Sequence, residues 1–213
     1  MDANTNTYNS NKSNQYVNYA ILGGAFNPIT QAHIQIARYV FDNTKMTDIW
    51  LMPCKNHLQK TGLESFGHRY NMCKIASKPF SEFIGVSDWE LCGGLDGSAY
   101  DLINELNSEY TDASFSYIIG MDQVNNFHTW KNWEKLKDMV RFIVIPRLGV
   151  EPDPSITWYL EKPHIYLKDF PAVDTSSTKA RELLKQPTKE QKMLDQILGQ
   201  DVFAYICDEE LYE

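Results

Sequence analysis

Residues Gly23 to His33 read G-G-A-F-N-P-I-T-Q-A-H and follow directly on the apolar run Tyr19–Leu22. A short strand runs into paired glycines, and a helix then opens. That order makes an anion site, because glycines let the backbone approach a phosphate and the N–H groups at a helix start favour negative charge. Thr30 and His33 stand one turn apart near the start of that helix, so both can face one ligand. A Gly-Gly after a strand is ordinarily only a tight turn, and the rest of the chain decides between the two readings.

On the C-terminal side, strand and helix patterns alternate. Strands are predicted at Tyr19–Leu22, Asp48–Met52, Phe83–Val86, Phe115–Ile119, Arg141–Ile145 and His164–Leu167. Helices are predicted at Gln31–Asn43, His68–Lys78, Ala99–Tyr110, Asp122–Thr129 with Trp133–Met139, Thr178–Leu184 and Asp201–Asp208. Short strands separated by helices imply right-handed crossovers. The fold class is therefore α/β: a Rossmann-like, doubly wound parallel sheet with helices on both faces. Ligands of such sheets sit at the carboxyl ends of the strands. Three segments fall there: Gly23–His33, Gly120–Asp122 and the region after Leu167. On the N-terminal side, residues 1–17 are polar and asparagine-rich, which reads as a disordered arm. Residues 18–213 read as a single domain with a helical C-terminal end.

A second motif is Asp174-Thr-Ser-Ser-Thr-Lys-Ala-Arg181. Hydroxyls before a helix usually only cap it. Here an arginine sits in the first turn as well, and it can grip a phosphate through two parallel bonds. Between the two motifs a strand ends at Gly120, and Asp122 follows where it can accept bonds from ribose hydroxyls. Trp130 lies eight residues on; most tryptophans are core residues.

These segments, in this order, resemble the nucleotidylyltransferase superfamily, and within it the nicotinate (nicotinamide) mononucleotide adenylyltransferases. Gly23–His33 resembles the (H/T)-x-G-H loop, with Thr30 in place of the first His and Ala32 in place of the Gly. Thr175–Arg181 resembles I-S-S-T-x-x-R, with Thr175 in place of Ile. Gly120-Met-Asp122 and the later Trp130-Lys-Asn-Trp133 resemble the family's G-x-D and W-x-x-W segments. Leu51–Lys60 resembles the loop after the second strand, with Lys60 aligned to the phosphate-reaching lysine and Lys55 close by. Gly97–Ile103 resembles S-Y-T-x-D-x-L with Asp101 replacing the Thr, and His68–Met72 resembles an architectural H-R-x-x-M helix. The likeness extends from Tyr19 to Tyr212.

The resemblance implies adenylyl transfer from ATP to nicotinate mononucleotide, with pyrophosphate released, as a step of NAD biosynthesis. His33, Thr30, Lys60 and Arg181 are its expected catalytic residues. The expected ATP-binding residues are Gly23, Gly24, Ala25, Phe26, Gly120, Asp122, Ser177, Thr178 and Arg181. Asn27, Ser98, Tyr100 and Trp130 are expected at the mononucleotide, with Trp130 stacking on the pyridine ring. Mg²⁺ is expected to ride on the nucleotide rather than in a protein cage. The alternatives are an enzyme that takes or prefers the nicotinamide form, and a nucleotide-binding regulator without catalysis.

Composition bounds these readings. The chain has 213 residues, a net charge of −8 and a pI near 5.1, which disfavours a nucleic-acid surface. No apolar run approaches the roughly 20 residues of a membrane span, and no signal sequence opens the chain. Cys54, Cys73, Cys92 and Cys207 are scattered, without C-x-x-C, so a cytoplasmic setting is expected and a structural zinc site is not. H-E-x-x-H, G-x-S-x-G, Walker A and G-x-G-x-x-G patterns are all absent. His57, His128 and His164 lack ligand spacing and are read as surface or capping residues. Oligomeric state is not legible.

Overall fold

Alternating side chains along the strands sort onto the two faces of one sheet. The computed structural model describes residues 17–55, 62–93, 95, 97–171, 175–186 and 190–212. Six strands, β1 (Val17–Gly24), β2 (Asp48–Pro53), β3 (Ile84–Val86), β4 (Ala113–Gly120), β5 (Arg141–Ile145) and β6 (Ile165–Tyr166), stand in the order β3-β2-β1-β4-β5-β6. Every neighbouring pair is parallel. Strand order reverses between β1 and β4, and ligands of doubly wound sheets bind at that reversal.

Ala20, Leu22, Ile118, Ile143 and Ile145 face one side of the sheet. There they pack against α1 (Gln31–Asn43), α2 (Phe66–Ser77) and, later in the chain, α7 (Ser177–Leu184), α8 (Gln191–Leu198) and α9 (Gln200–Asp208). Ile21, Phe115, Tyr117, Ile119, Phe142 and Val144 face the other side. Their partners lie on α4 (Ala99–Glu109), α5 (Met121–Asn125) and α6 (Trp133–Met139). The Rossmann-like, two-faced architecture expected of the sequence is thus the observed one.

Boundaries differ from the sequence reading where local context takes over. β1 begins at Val17 and β4 at Ala113, each outside the predicted run, because their neighbours supply ladder partners as far as Val17↔Ala113. The edge strands β3 and β6 are shorter than predicted. The predicted helix Asp122–Thr129 is α5 followed by a 3₁₀ turn at Phe127–Thr129. Two helices were not predicted: the single turn α3 (Trp89–Cys92), and α8, whose buried Leu194, Ile197 and Leu198 carry the helical spacing. The N-terminal arm lies outside the described residues except for Val17. Where His68 and His164 lie, both make capping or packing bonds: His164 Nδ1 accepts the Phe142 N–H at 3.1 Å, and His68 Nδ1 lies 2.9 Å from the Tyr205 hydroxyl. His128 is exposed, and His57 lies outside the described residues.

The strand ends around the reversal are tied together by one side chain. Arg69, on α2, is 1% exposed. It donates to the carbonyls of Ala25 (2.7 Å), Cys54 (2.8 Å), Glu64 (2.9 Å) and Lys55 (3.3 Å). Three segments thus hang on one guanidinium: the turn after β1, the end of β2, and the entry to α2. An isosteric apolar side chain would leave these carbonyls without their donor. Arg69→Met is expected to lower stability by about 2–4 kcal/mol, read as the shift of the urea unfolding midpoint. An unchanged midpoint would show that the guanidinium does not hold these strand ends.

Candidate active site

The glycine turn is shaped by what lies beside it. A Cβ at Gly23 would overlap the Tyr117 hydroxyl, so this position admits no side chain without moving a buried tyrosine. Phe26 takes a left-handed backbone, φ 45°, which is strained for a bulky residue. Its ring is buried and meets the His33 ring edge-on at 5.1 Å. Ala25 and Phe26, expected beside ATP, are therefore the buried frame of the turn, while Gly23 and Gly24 line an open cavity.

Thr30 caps α1 and is 1% exposed. Its backbone N–H donates to His33 Nδ1 at 3.0 Å, and its hydroxyl lies 2.9 Å from the same nitrogen. A ring nitrogen that accepts an N–H carries no proton, so the proton of the neutral imidazole is on Nε2. The pair thus fixes both the ring's orientation and its tautomer. Thr30, expected to touch phosphate, sits behind His33 and positions it.

The second motif packs against the same turn. Ser176 caps α7, its hydroxyl accepting the Lys179 N–H at 3.2 Å. Ser177 Oγ donates to the Pro28 carbonyl at 2.8 Å. Arg181 donates to the Asn27 carbonyl at 2.6 Å and to Thr178 Oγ1 at 3.3 Å. The first turns of α1 and α7 therefore meet at the loop 27–30, which brings Thr30, His33, Ser177, Thr178 and Arg181 together. Arg181 already spends donors on the loop, so its two-pronged grip on phosphate is not the observed pose. Asn27, expected at the mononucleotide, is buried, and its Oδ1 accepts the Glu64 N–H and the Tyr212 hydroxyl, both at 3.0 Å. That makes it a brace between the loop, α2 and the C-terminal end. Lys60 lies outside the described residues; Lys55 lies two residues past β2, its N–H donating to Glu90 Oε2.

The cavity, about 570 Å³, opens at the strand reversal and suits a small ligand. Gly23, Gly24, Ser98, Tyr100, Asp122 and Trp130 line it, six of the expected residues. Gly120 precedes Asp122 and leaves room for its carboxylate. Trp130 is only half-buried: it packs on the core, edge-on to Tyr117 at 6.2 Å, and also lines the cavity. Ser98 caps α4 by accepting the Asp101 N–H, and Gly97 before it has φ 89°, a backbone suited to glycine. The N–H groups of a first helical turn lack intrahelical acceptors, so the start of α4 offers donors at the cavity wall.

Three residues of this site were not singled out from the sequence. Arg147, just after β5, pairs with Asp122 at 2.6 Å. Lys131, next to Trp130, lines the cavity and pairs with Asp101 at 2.6 Å. Glu90 lines the cavity and is 3% exposed. A signal existed for Arg147 and Glu90: each closely follows the carboxyl end of a strand. Among the described residues no three His, Cys, Asp or Glu side chains group as a metal site.

Comparison with known proteins bears on the family and the fold. The profile of the cytidylyltransferase-like family matches residues 21–183. A probable nicotinate-nucleotide adenylyltransferase of Methylacidiphilum infernorum is 30% identical over 195 residues, covering 91% of each chain. The protein of the same name from Myxococcus xanthus is 31% identical over 168 residues, covering 79% of this chain and 82% of its own. Plasmodium falciparum nicotinic acid mononucleotide adenylyltransferase, solved in complex with NaAD, superposes with a TM-score of 0.79 at 27% identity, over 92% of this chain and 97% of its own. By these matches, this chain belongs to the cytidylyltransferase-like nucleotidyltransferases and, within them, to the nicotinate-nucleotide adenylyltransferase family.

Proposed function

We propose that this protein transfers the adenylyl group of ATP to nicotinate mononucleotide, forming nicotinate adenine dinucleotide and pyrophosphate in NAD biosynthesis. The observation that carries this is His33, locked by Thr30 with its proton on Nε2, at the edge of a glycine turn that opens into a cavity with Trp130 on its wall. A phosphate oxygen of the mononucleotide attacks the α-phosphorus of ATP. The bond from that phosphorus to the β-bridging oxygen breaks, and pyrophosphate leaves with the electron pair. Because the nucleophile is already an anion, no strong base is needed, and catalysis comes from positioning and charge stabilisation.

His33 Nε2–H donates to an oxygen of the phosphoryl group in transfer. Thr178, the backbone N–H of Ser177 and Lys60 supply further donors around the ATP phosphates, and Arg181 joins them with the guanidinium N–H groups that its bonds to Asn27 and Thr178 leave over. Asp122, held by Arg147, faces the adenosine side, and Trp130 with Tyr100 shapes the pyridine pocket. Mg²⁺ belongs to this reading as part of the incoming nucleotide. A cytoplasmic setting belongs to it too: no disulfide joins the four cysteines, and among the described residues no helix is long and apolar enough to cross a membrane.

Removal of the His33 donor should cost transition-state stabilisation and leave the fold intact. His33→Ala is expected to lower kcat by roughly 10²–10³-fold in a pyrophosphate-release assay. A kcat near wild type would take His33 out of the mechanism.

The start of α4 bears on acid against amide. Its first-turn N–H groups and positive dipole end favour a carboxylate at Ser98–Tyr100. In paired steady-state assays, kcat/KM for nicotinate mononucleotide should exceed that for nicotinamide mononucleotide by about 10- to 100-fold, with the amide still used. Equal efficiencies would refute the acid preference and leave adenylyl transfer standing. Absence of dinucleotide from either would point to the non-catalytic regulator.

A further inference from the structure

Glu90 is a buried carboxylate on the wall of the substrate cavity, in a place no motif marked. β3 ends at Val86, and Ser87 N–H bonds the Leu51 carbonyl at 3.0 Å, which keeps the chain at the carboxyl edge of the sheet. The single turn α3 then carries Glu90 to the cavity. Its Oε2 accepts the Lys55 N–H at 3.1 Å. Cys54 N–H in turn bonds the Gly24 carbonyl at 3.0 Å, so Glu90 reaches the same strand ends that carry the glycine turn. On its other side the chain continues to Gly97–Tyr100, at the start of α4. Tyr117 spans the same distance: its hydroxyl lies over Gly23, and its ring meets Trp130. Burial first, and then the negative charge of Glu90, push the Tyr117 phenol well above the usual range, so it stays neutral.

Tyr117 links Gly23, under its hydroxyl, to Trp130, beside its ring, and Glu90, bonded just past the end of β2, lines the same cavity as both. A 5′-mononucleotide laid with its phosphate at the glycines and its ring at Trp130 has its ribose between them. Its phosphate and the nicotinate carboxylate are both anions, and a buried carboxylate repels both. Only the ribose presents neutral hydroxyl donors to an acceptor of this kind. On the reading of the site given above, we propose that Glu90 is a substrate-binding residue that accepts a hydrogen bond from a ribose hydroxyl of the mononucleotide and discriminates against mononucleotides lacking that hydroxyl.

The test pairs Glu90→Gln with deoxy substrates. Wild-type protein and variant are assayed with nicotinate mononucleotide and with its 2′-deoxy and 3′-deoxy analogues, at saturating ATP. For wild type, kcat/KM should fall by roughly 10- to 100-fold with at least one analogue, the range of a hydrogen bond to a charged group. For Glu90→Gln, the ribose substrate should lose a similar factor, the KM for ATP should stay put, and the penalty for that analogue should shrink to a few-fold. A purely structural role would lower all substrates together and keep the penalty. If Glu90→Gln does not fold, Glu90→Asp enters the same comparison and should also show a reduced penalty. Two results would overturn the proposal: wild type using both analogues as well as the ribose substrate, or a variant that keeps the full wild-type penalty. Failure of adenylyl transfer is distinguishable, since wild type would then form no dinucleotide even from the ribose substrate.

Discussion

A single buried guanidinium holds the site in shape. Among the described residues Arg69 has no carboxylate partner; its donors go to carbonyls at the ends of β1 and β2 and at the entry to α2. Those of Ala25, Cys54 and Lys55 lie just past the last ladder pair of β1 and β2, Gly24 with Pro53. A charged donor with several prongs satisfies them together and sets the distance between the strand ends. The strained backbone at Phe26 persists because its surroundings leave no alternative. Asn27 extends the same framework to Tyr212, so residues far apart in sequence brace one loop.

Charge around the cavity is arranged in pairs. Asp122 with Arg147 lies toward the β4–β5 side, and Asp101 with Lys131 bridges α4 to the segment after Trp130. These pairs are partly exposed, so each adds little to stability. Their effect is local: Arg147 and Lys131 offset the negative charge of Asp122 and Asp101 beside a cavity that takes an anionic ligand. Net charge of −8 and an anionic substrate are compatible for that reason.

The departures from the family pattern acquire a physical account. Thr30 stands where the first His is usual, yet its N–H and hydroxyl both address His33 Nδ1. Orientation of the remaining histidine is thereby retained with a smaller residue. Ala32 in place of Gly is buried. Asp101 in place of Thr gains the ion pair with Lys131.

The short apolar runs of β1, β4 and β5 and the hydroxyls before α7 were legible in the chain, because such patterns are local and depend on neighbours a few residues away. So were Gly23, Thr30, His33 and Trp130, which sit in contiguous motifs. The sequence by itself determined the parallel sheet, the glycine turn at its reversal and the family. Only the tertiary structure decided that Asn27 is a brace, that Arg181 and Ser177 bond the loop, and that Arg147, Lys131 and Glu90 join the site. Those assignments rest on contacts between residues such as Asn27 and Tyr212, or Asp122 and Arg147, which no local spacing encodes; packing two layers of helices on a twisted sheet is what brings them within bonding distance.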